Sequence, residues 1–188
     1  HNLYVIEDNA QAIGANFTFS DGTKKQAGTI GHIASTSFFP SKNLGCYGDG
    51  GAIFTNDDKL AHILRGIVNH GMYERYHHDV VGVNSRLDSI QAAVLNAKLP
   101  FLDSYGKARQ DAARKYTAAF EGHKNIIAPT ICDNCDCHVF HQYVLRIIDA
   151  DRDALMQHLL DKGIPCAIYY PIPLHSQKAY LDSRYKEE

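Results

Sequence analysis

Apolar positions along the chain follow two rhythms. Leu3 to Ile6, Ile33 to Phe39 and Gly51 to Thr55 are short strand-like runs, the second opening on Ile33-Ala34 and closing on Phe38-Phe39, of the length that fills strands of a buried sheet. Leu60, Ile63, Leu64 and Ile67 recur at helical spacing behind an Asn56-Asp57 cap, and the pattern stops before Gly71. Leu87, Ile90, Val94 and Ala97 predict a second amphipathic helix, and Asp103 to Phe120 a third, parted from it by Pro100. Between the first two strands, Gly14, Gly22, Gly28 and Gly31 lie among short aromatic pieces and predict turns and edge strands. From Asn9 the chain can enter a helix, which would put Gln11 on the same side of its first turn as Asp8.

The last third changes character. His141 to Arg146 alternates like a strand, Arg152 to Lys162 has helical spacing with Gly163 at its stop, and Ile164 to Tyr170 is strand-like again. That is a small α+β unit. The expected organisation is α/β with a mostly parallel sheet over residues 1–100, followed over residues 101–188 by a linking helix and the small unit. His70 to Arg86 is expected to be a long irregular loop, of a length that compact domains keep for function.

Composition narrows the partners more than the fold. With 188 residues, 19 basic and 21 acidic side chains and a formal charge of -2, the chain has no general attraction for nucleic acid or anionic membrane. No apolar run is long enough to cross a bilayer and the start lacks signal-peptide character, so the cytoplasm is the expected location. Five cysteines, an odd number, read as reduced thiols. His1-Asn2 leads at once into an apolar run and Tyr185 to Glu188 stops abruptly, so the sequence reads as a piece of a longer fold.

Two clusters test the idea of a metal. His70, His77 and His78 lack the helical spacing of a histidine pair, and Cys132, Cys135, Cys137 and His138 form a weakly zinc-like string with no second cluster to complete a cage. No metal is expected.

The stretch richest in chemistry is Thr36 to Gly51, in which a strand delivers Lys42 into a glycine-rich loop. Asp8 stands at the carboxyl end of the first strand, where open α/β sheets place ligands, although it also suits a helix N-cap. A carboxylate (Asp8), an amide (Gln11), a hydroxyl (Ser37) and an amine (Lys42) are together the set that pyridoxal 5'-phosphate requires. Its aldehyde needs an amine for the resting Schiff base, its ring nitrogen an anion that keeps it protonated, and its phosphate hydroxyls and backbone amides.

The motifs carrying these residues resemble a known family. Asp8-Asn9-Ala10-Gln11-Ala12-Ile13-Gly14-Ala15, Ser37-Phe38-Phe39-Pro40-Ser41-Lys42 with Gly50-Gly51-Ala52, Gly82 to Asp88 with Gln91-Ala92-Ala93, and Tyr170-Pro171-Ile172-Pro173-Leu174-His175 are similar to successive signatures of the DegT/DnrJ/EryC1/StrS sugar aminotransferases. The resemblance covers nearly the whole chain, which has roughly half the length usual in that family. It implies the C-terminal part of an aspartate-aminotransferase-like (fold type I) large domain plus a smaller α+β domain. By it, Lys42 is the Schiff-base lysine and proton carrier, Asp8 pairs with the ring nitrogen, Gln11 lies by the ring hydroxyl and Ser37 binds the phosphate. Asn84 would reach the cofactor phosphate of the neighbouring subunit, since family sites form across a homodimer interface, and Arg86, Tyr170 and His175 would touch substrate. Lysine at position 42, where the family's dehydratases have histidine, favours transamination. The implied reaction takes an amino group from an amino acid, glutamate in the first place, to a keto group of a nucleotide-linked sugar. The wording around Lys42 resembles members acting at the third carbon, including on a UDP-linked 3-keto N-acetylglucosaminuronic acid, in the making of surface polysaccharide. On its own the chain is expected to bind the cofactor weakly or not at all. Two rival readings are a non-catalytic truncated relative acting in dimerisation and a small zinc-binding module.

Overall fold

The computed structural model describes residues 1–131, 138–182 and Arg184. Two compact units emerge, one of residues 1–119 with 130–143 and the other of 120–129 with 144–188.

The first unit opens with β1 (Ile6–Asp8), a small antiparallel hairpin of β2 (Asn16–Thr18) and β3 (Lys24–Gln26), then β4 (Ile33–Ser37) and β5 (Gly51–Phe54). The main sheet has the order β1-β4-β5, with Asp8 opposite Ser35 in the parallel pair and Ser37 opposite Gly51 in the antiparallel one. The expectation of a mostly parallel sheet is thus corrected: among the described residues β1 and β4 are the parallel pair, and the other pairings are antiparallel. The reason lies in the loop after β4. Phe38 N–H donates to the Gly50 carbonyl at 2.7 Å, which ties the two ends of the loop together and sends the chain straight back beside the strand it left.

Strand period two gives this sheet unlike faces. Ala34 and Thr36 are buried on one side, while Asp8 and Ser35 are exposed on the other. β1 is an edge strand. The apolar run Leu3 to Ile6, expected to be buried, is open instead, with Tyr4 88% and Ile6 76% exposed, because no neighbour covers that rim among the described residues. Beyond β1 the expected helix is also absent. Residues 10–14 form turns in which Ala12 N–H donates to Asn9 O and Ala15 N–H to Ala12 O, and Gly14, at φ +87°, takes the left-handed conformation that ends them.

After β5, α1 (Asp58–Val68) begins as its sequence predicts, with the Asp57 carboxylate accepting from the N–H groups of Lys59 and Leu60. The segment that follows is more ordered than an irregular loop. β6 (Met72–Glu74) and β7 (His77–His78) pair, and an isolated bridge joins Asn69 to Asn84. Gly71 makes this possible: it sits at φ +74°, and a Cβ there would lie 1.7 Å from the Val80 carbonyl. α2 (Ser89–Lys98) passes through a 3-10 turn at Leu99–Phe101, where Pro100 breaks the helix, into α3 (Leu102–Phe120). The core joins Phe38, Leu44 and Cys46 of the glycine loop to Leu95 of α2, with Ile13, Ala52, Val94 and Leu102 packed around it.

The second unit contains β8 (Ile126–Ile127) paired with β9 (Arg146–Ile147), then α4 (Arg152–Asp161) capped by Asp151 and closed by Gly163 at φ +72°. Two expected strands are corrected here. The run from His141 narrows to Arg146–Ile147, and Ile164 to Tyr170 is not a strand, since neither finds a further ladder partner for its backbone among the described residues. Cys132, Cys135 and Cys137 lie outside the described residues. Among the described residues no group of three or more His, Cys, Asp or Glu could hold a metal ion, and no helix is long and apolar enough to cross a membrane.

Candidate active site

A parallel pair of strands releases both chains at one edge. β1 ends there with Asp8, and β4 ends there with Ser37 and the loop that carries Lys42. Asp8 is exposed, and its Oδ1 accepts the Ala10 N–H at 3.0 Å, an arrangement that fixes the carboxylate at the strand end. Ser37 Oγ accepts the Phe39 N–H at 3.2 Å, so its own hydroxyl proton is not used in that bond. Gln11 sits exposed in the turn of residues 10–14. Ile13 of that turn and Asn43, next to Lys42, border one cavity of about 400 Å³.

The lysine loop is held from beneath. Lys42 is half-buried and its N–H donates to the Phe39 carbonyl at 2.9 Å, while Asn43, Leu44, Gly45 and Cys46 behind it are all buried. Cys46 N–H donates to Phe38 O at 2.8 Å, and the Cys46 thiol reaches Phe38 O and Gly48 O. Asn43 Nδ2 donates to Val139 O at 3.0 Å, linking the loop to a segment 96 residues away. That segment is pinned again by Arg109 Nη1, which donates to the carbonyls of Phe140 and His141. Its histidine is perturbed. Burial, then the nearby charges of Lys42 and Arg109, hold the His141 imidazole below its ordinary value of 6.5, favouring the neutral ring.

Glu7, which the sequence did not single out, is the most fully bonded carboxylate on the sheet. It accepts the N–H groups of Gly28 at 2.7 Å, Ile30 at 2.6 Å and Gly31 at 2.5 Å. Burial pushes its carboxyl up, but the bonds from Gly31, Gly28 and Ile30 outweigh that and hold it below the ordinary 4.5. Glu7 thereby fastens the 28–31 turn over the sheet next to Asp8.

Asn84 and Arg86 come together, with Arg86 Nε donating to Asn84 Oδ1 at 3.0 Å. Asn84 is fixed by its bridge to Asn69, and Leu87 packs on Gly50, where an added Cβ would lie 2.9 Å from Leu87 Cδ1. Arg86 lines an open cavity of about 840 Å³ with Ser35, Gly51, Arg65 and Ser85. Lys42 and Asp8 are not among its lining residues, although Ser35, the register partner of Asp8, is. Tyr170 and His175 belong to the second unit. Both are exposed, His175 in a 3-10 turn at Leu174–Ser176.

A carboxylate at the end of β1, a hydroxyl at the end of β4 and an amine in the loop that follows are the kinds of group by which pyridoxal 5'-phosphate is held. Solved structures similar to this chain are aminotransferases of fold type I, of which it covers a little under half. The structure of DesV from Streptomyces venezuelae, solved in complex with a ketimine intermediate, is similar with a TM-score of 0.87 at 41% identity, over 96% of this chain and 46% of that one. The chain belongs to the DegT/DnrJ/EryC1/StrS aminotransferase family, which it matches over residues 1–188. The aminotransferases of this family depend on pyridoxal 5'-phosphate. A pleiotropic regulatory protein of Geobacillus stearothermophilus is 46% identical over 189 residues, covering 100% of this chain and 49% of that protein. The UDP-2-acetamido-2-deoxy-3-oxo-D-glucuronate aminotransferase of Pseudomonas aeruginosa is 44% identical over 186 residues, covering 99% of this chain and 49% of that protein. The chain thus spans about half the length of these relatives.

Proposed function

We propose that this chain carries the cofactor lysine and ring-nitrogen acid of a nucleotide-sugar aminotransferase that draws its amino group from an amino acid, glutamate in the first place. When bound, pyridoxal 5'-phosphate supplies an aldehyde that combines with amines and a ring that withdraws electrons. Lys42 supplies the amine that holds it, and its Nζ takes and returns the proton at the substrate carbon. Asp8 holds the proton at the ring nitrogen, Gln11 stands by the ring hydroxyl, and the free hydroxyl proton of Ser37 serves the phosphate. Residues 1–100 supply these groups as part of the cofactor-binding domain, and residues 101–188 are the linking helix and the small α+β domain.

Asn84 serves the phosphate of a second subunit's cofactor, making the enzyme a homodimer with shared sites, and Arg86, Tyr170 and His175 meet the substrate. The substrate is a UDP-linked 3-keto sugar of the N-acetylglucosaminuronate type, by analogy with the Pseudomonas relative's name. The transfer would take place in the cytoplasm, and its product would feed surface polysaccharide.

The observation that carries the reading is the parallel register of β1 and β4, which brings Asp8 and the Lys42 loop to a common edge. The test is amino transfer by the intact gene product from glutamate to a panel of nucleotide keto sugars. Absence of transfer to any of them, together with unchanged behaviour of Lys42→Ala, sinks it. A regulatory reading has one observation in its favour, the name of the Geobacillus relative. It predicts that Lys42→Ala leaves the biological role intact.

A further inference from the structure

α2 turns a face to the lysine loop that is polar at both ends and apolar between. Gln91, Val94, Leu95 and Lys98 fall three, four and seven residues apart, so they share one stripe about two turns long. Val94 and Leu95 pack against Phe38, Leu44 and Cys46. At one end Gln91 Oε1 accepts the Tyr47 N–H at 2.8 Å, and Gly48 lies so near that an added Cβ would be 3.0 Å from Gln91 Nε2. At the other, Lys98 Nζ donates to the Gly45 carbonyl.

Gly45 is the most closely packed glycine of the loop. A Cβ there would lie 2.5 Å from the Pro40 carbonyl oxygen and 2.7 Å from that of Phe39, so the outgoing limb crosses the incoming one at this residue. Lys42 stands on the arc between Pro40 and Gly45. An ordinary lysine near a helix end keeps its ammonium in water. Lys98 instead gives its ammonium to a main-chain carbonyl at the crossing, while Gln91 fixes the limb just beyond.

We propose that Lys98 and Gln91 are positioning residues for Lys42: by gripping the loop at Gly45 and Tyr47 they set where the Lys42 amine stands relative to the edge that carries Asp8. This rests on the reading that Lys42 holds the cofactor.

Two measurements on the intact gene product test it, using Lys98→Met, which keeps the stem and loses the donor, Lys98→Arg, which keeps a donor, and Gln91→Leu. The first is amide hydrogen exchange. Lys98→Met and Gln91→Leu should each speed exchange across residues 43–48 at least tenfold while α1 and α3 keep their protection, and Lys98→Arg should restore slow exchange. The second is incubation with pyridoxal 5'-phosphate, reduction with cyanoborohydride and peptide mapping of the tagged lysines. In the unmodified protein Lys42 should be tagged faster than the exposed Lys59 and Lys107. In Lys98→Met the rate at Lys42 should fall at least tenfold with Lys59 and Lys107 unchanged, and Lys98→Arg should recover it. Unaltered exchange overturns the proposal, and so does faster exchange with Lys42 tagged as before, which would make the grip purely structural. If Lys42 of the unmodified protein is tagged no faster than Lys59, it is the cofactor reading that fails.

Discussion

Asp8 and Ser35 are direct neighbours in the parallel register of β1 and β4, and both are exposed on the same face of the sheet. Since strands alternate, Ser37 continues that face toward the lysine loop. The carboxylate is therefore placed by main-chain pairing, which a change of its side chain leaves intact. Asp8→Asn should keep the fold and lower amino transfer by two to four powers of ten, the range a positioned proton-holding group is worth. Thermal unfolding and single-turnover rates on the same preparations check both halves. Lys42→Ala should lose transfer to at least the same extent, together with the absorbance of the lysine-bound cofactor.

Asn43 joins the lysine loop to Val139 through a single buried hydrogen bond. Removing a buried partner leaves the Val139 carbonyl desolvated and unpaired, so Asn43→Ala should cost about 1–3 kcal/mol in denaturant unfolding. A midpoint unchanged within error would show that the link contributes nothing.

Glu7 and His141 contribute to separate limbs of acid sensitivity. Glu7 is held below its ordinary value, so the stability it contributes is present above about pH 4.5 and is lost as the pH falls through its depressed native value. Glu7→Gln should flatten that limb and cost about 1 kcal/mol at neutral pH, a modest figure because the carboxylate is largely open to solvent screening. His141 is likewise depressed, but as a base: its native form resists the proton, so stability falls as the pH drops below 6.5 and levels off beneath the native value. His141→Phe should shallow the upper limb, to which the His138 imidazole, also held down by burial, contributes the rest, and leave the lower one. Melting temperatures measured from pH 8 to pH 3 for the three proteins separate the two.

Gly45 leaves no room for a methyl group between the limbs of its loop. Gly45→Ala should destabilise by about 1–3 kcal/mol, as overpacking commonly does, and should reduce amino transfer by more than the lost stability explains. Equal transfer per folded molecule would show that the loop's shape does not matter to Lys42.

Local signals were enough for α1 to α4, though not for the turns after Asp8. The Asp57 cap, the Pro100 break and Gly163 all stand where the sequence puts them, because caps and breakers act within a turn of the residues they affect. The strand end at Asp8 and the glycine loop of Lys42 were also readable. What could not be read depends on residues far apart in sequence. Glu7 meets Gly28 and Gly31, and Lys98 meets Gly45, across separations of 21, 24 and 53 residues. Nothing near Lys98 in the sequence marks its ammonium as bound to the main chain. Burial at Leu3 to Ile6 was misjudged for the same reason, since an apolar run records what a strand can bury and a neighbour decides whether it does.

That open border, Leu3 through Ile6 with the outer edge of β1 unpaired among the described residues, makes these 188 residues, taken by themselves, a template for strand addition. Handled as an isolated polypeptide it should therefore self-associate as its concentration rises, and a lysine or proline set among Tyr4, Val5 and Ile6 is the simplest way to keep it dispersed.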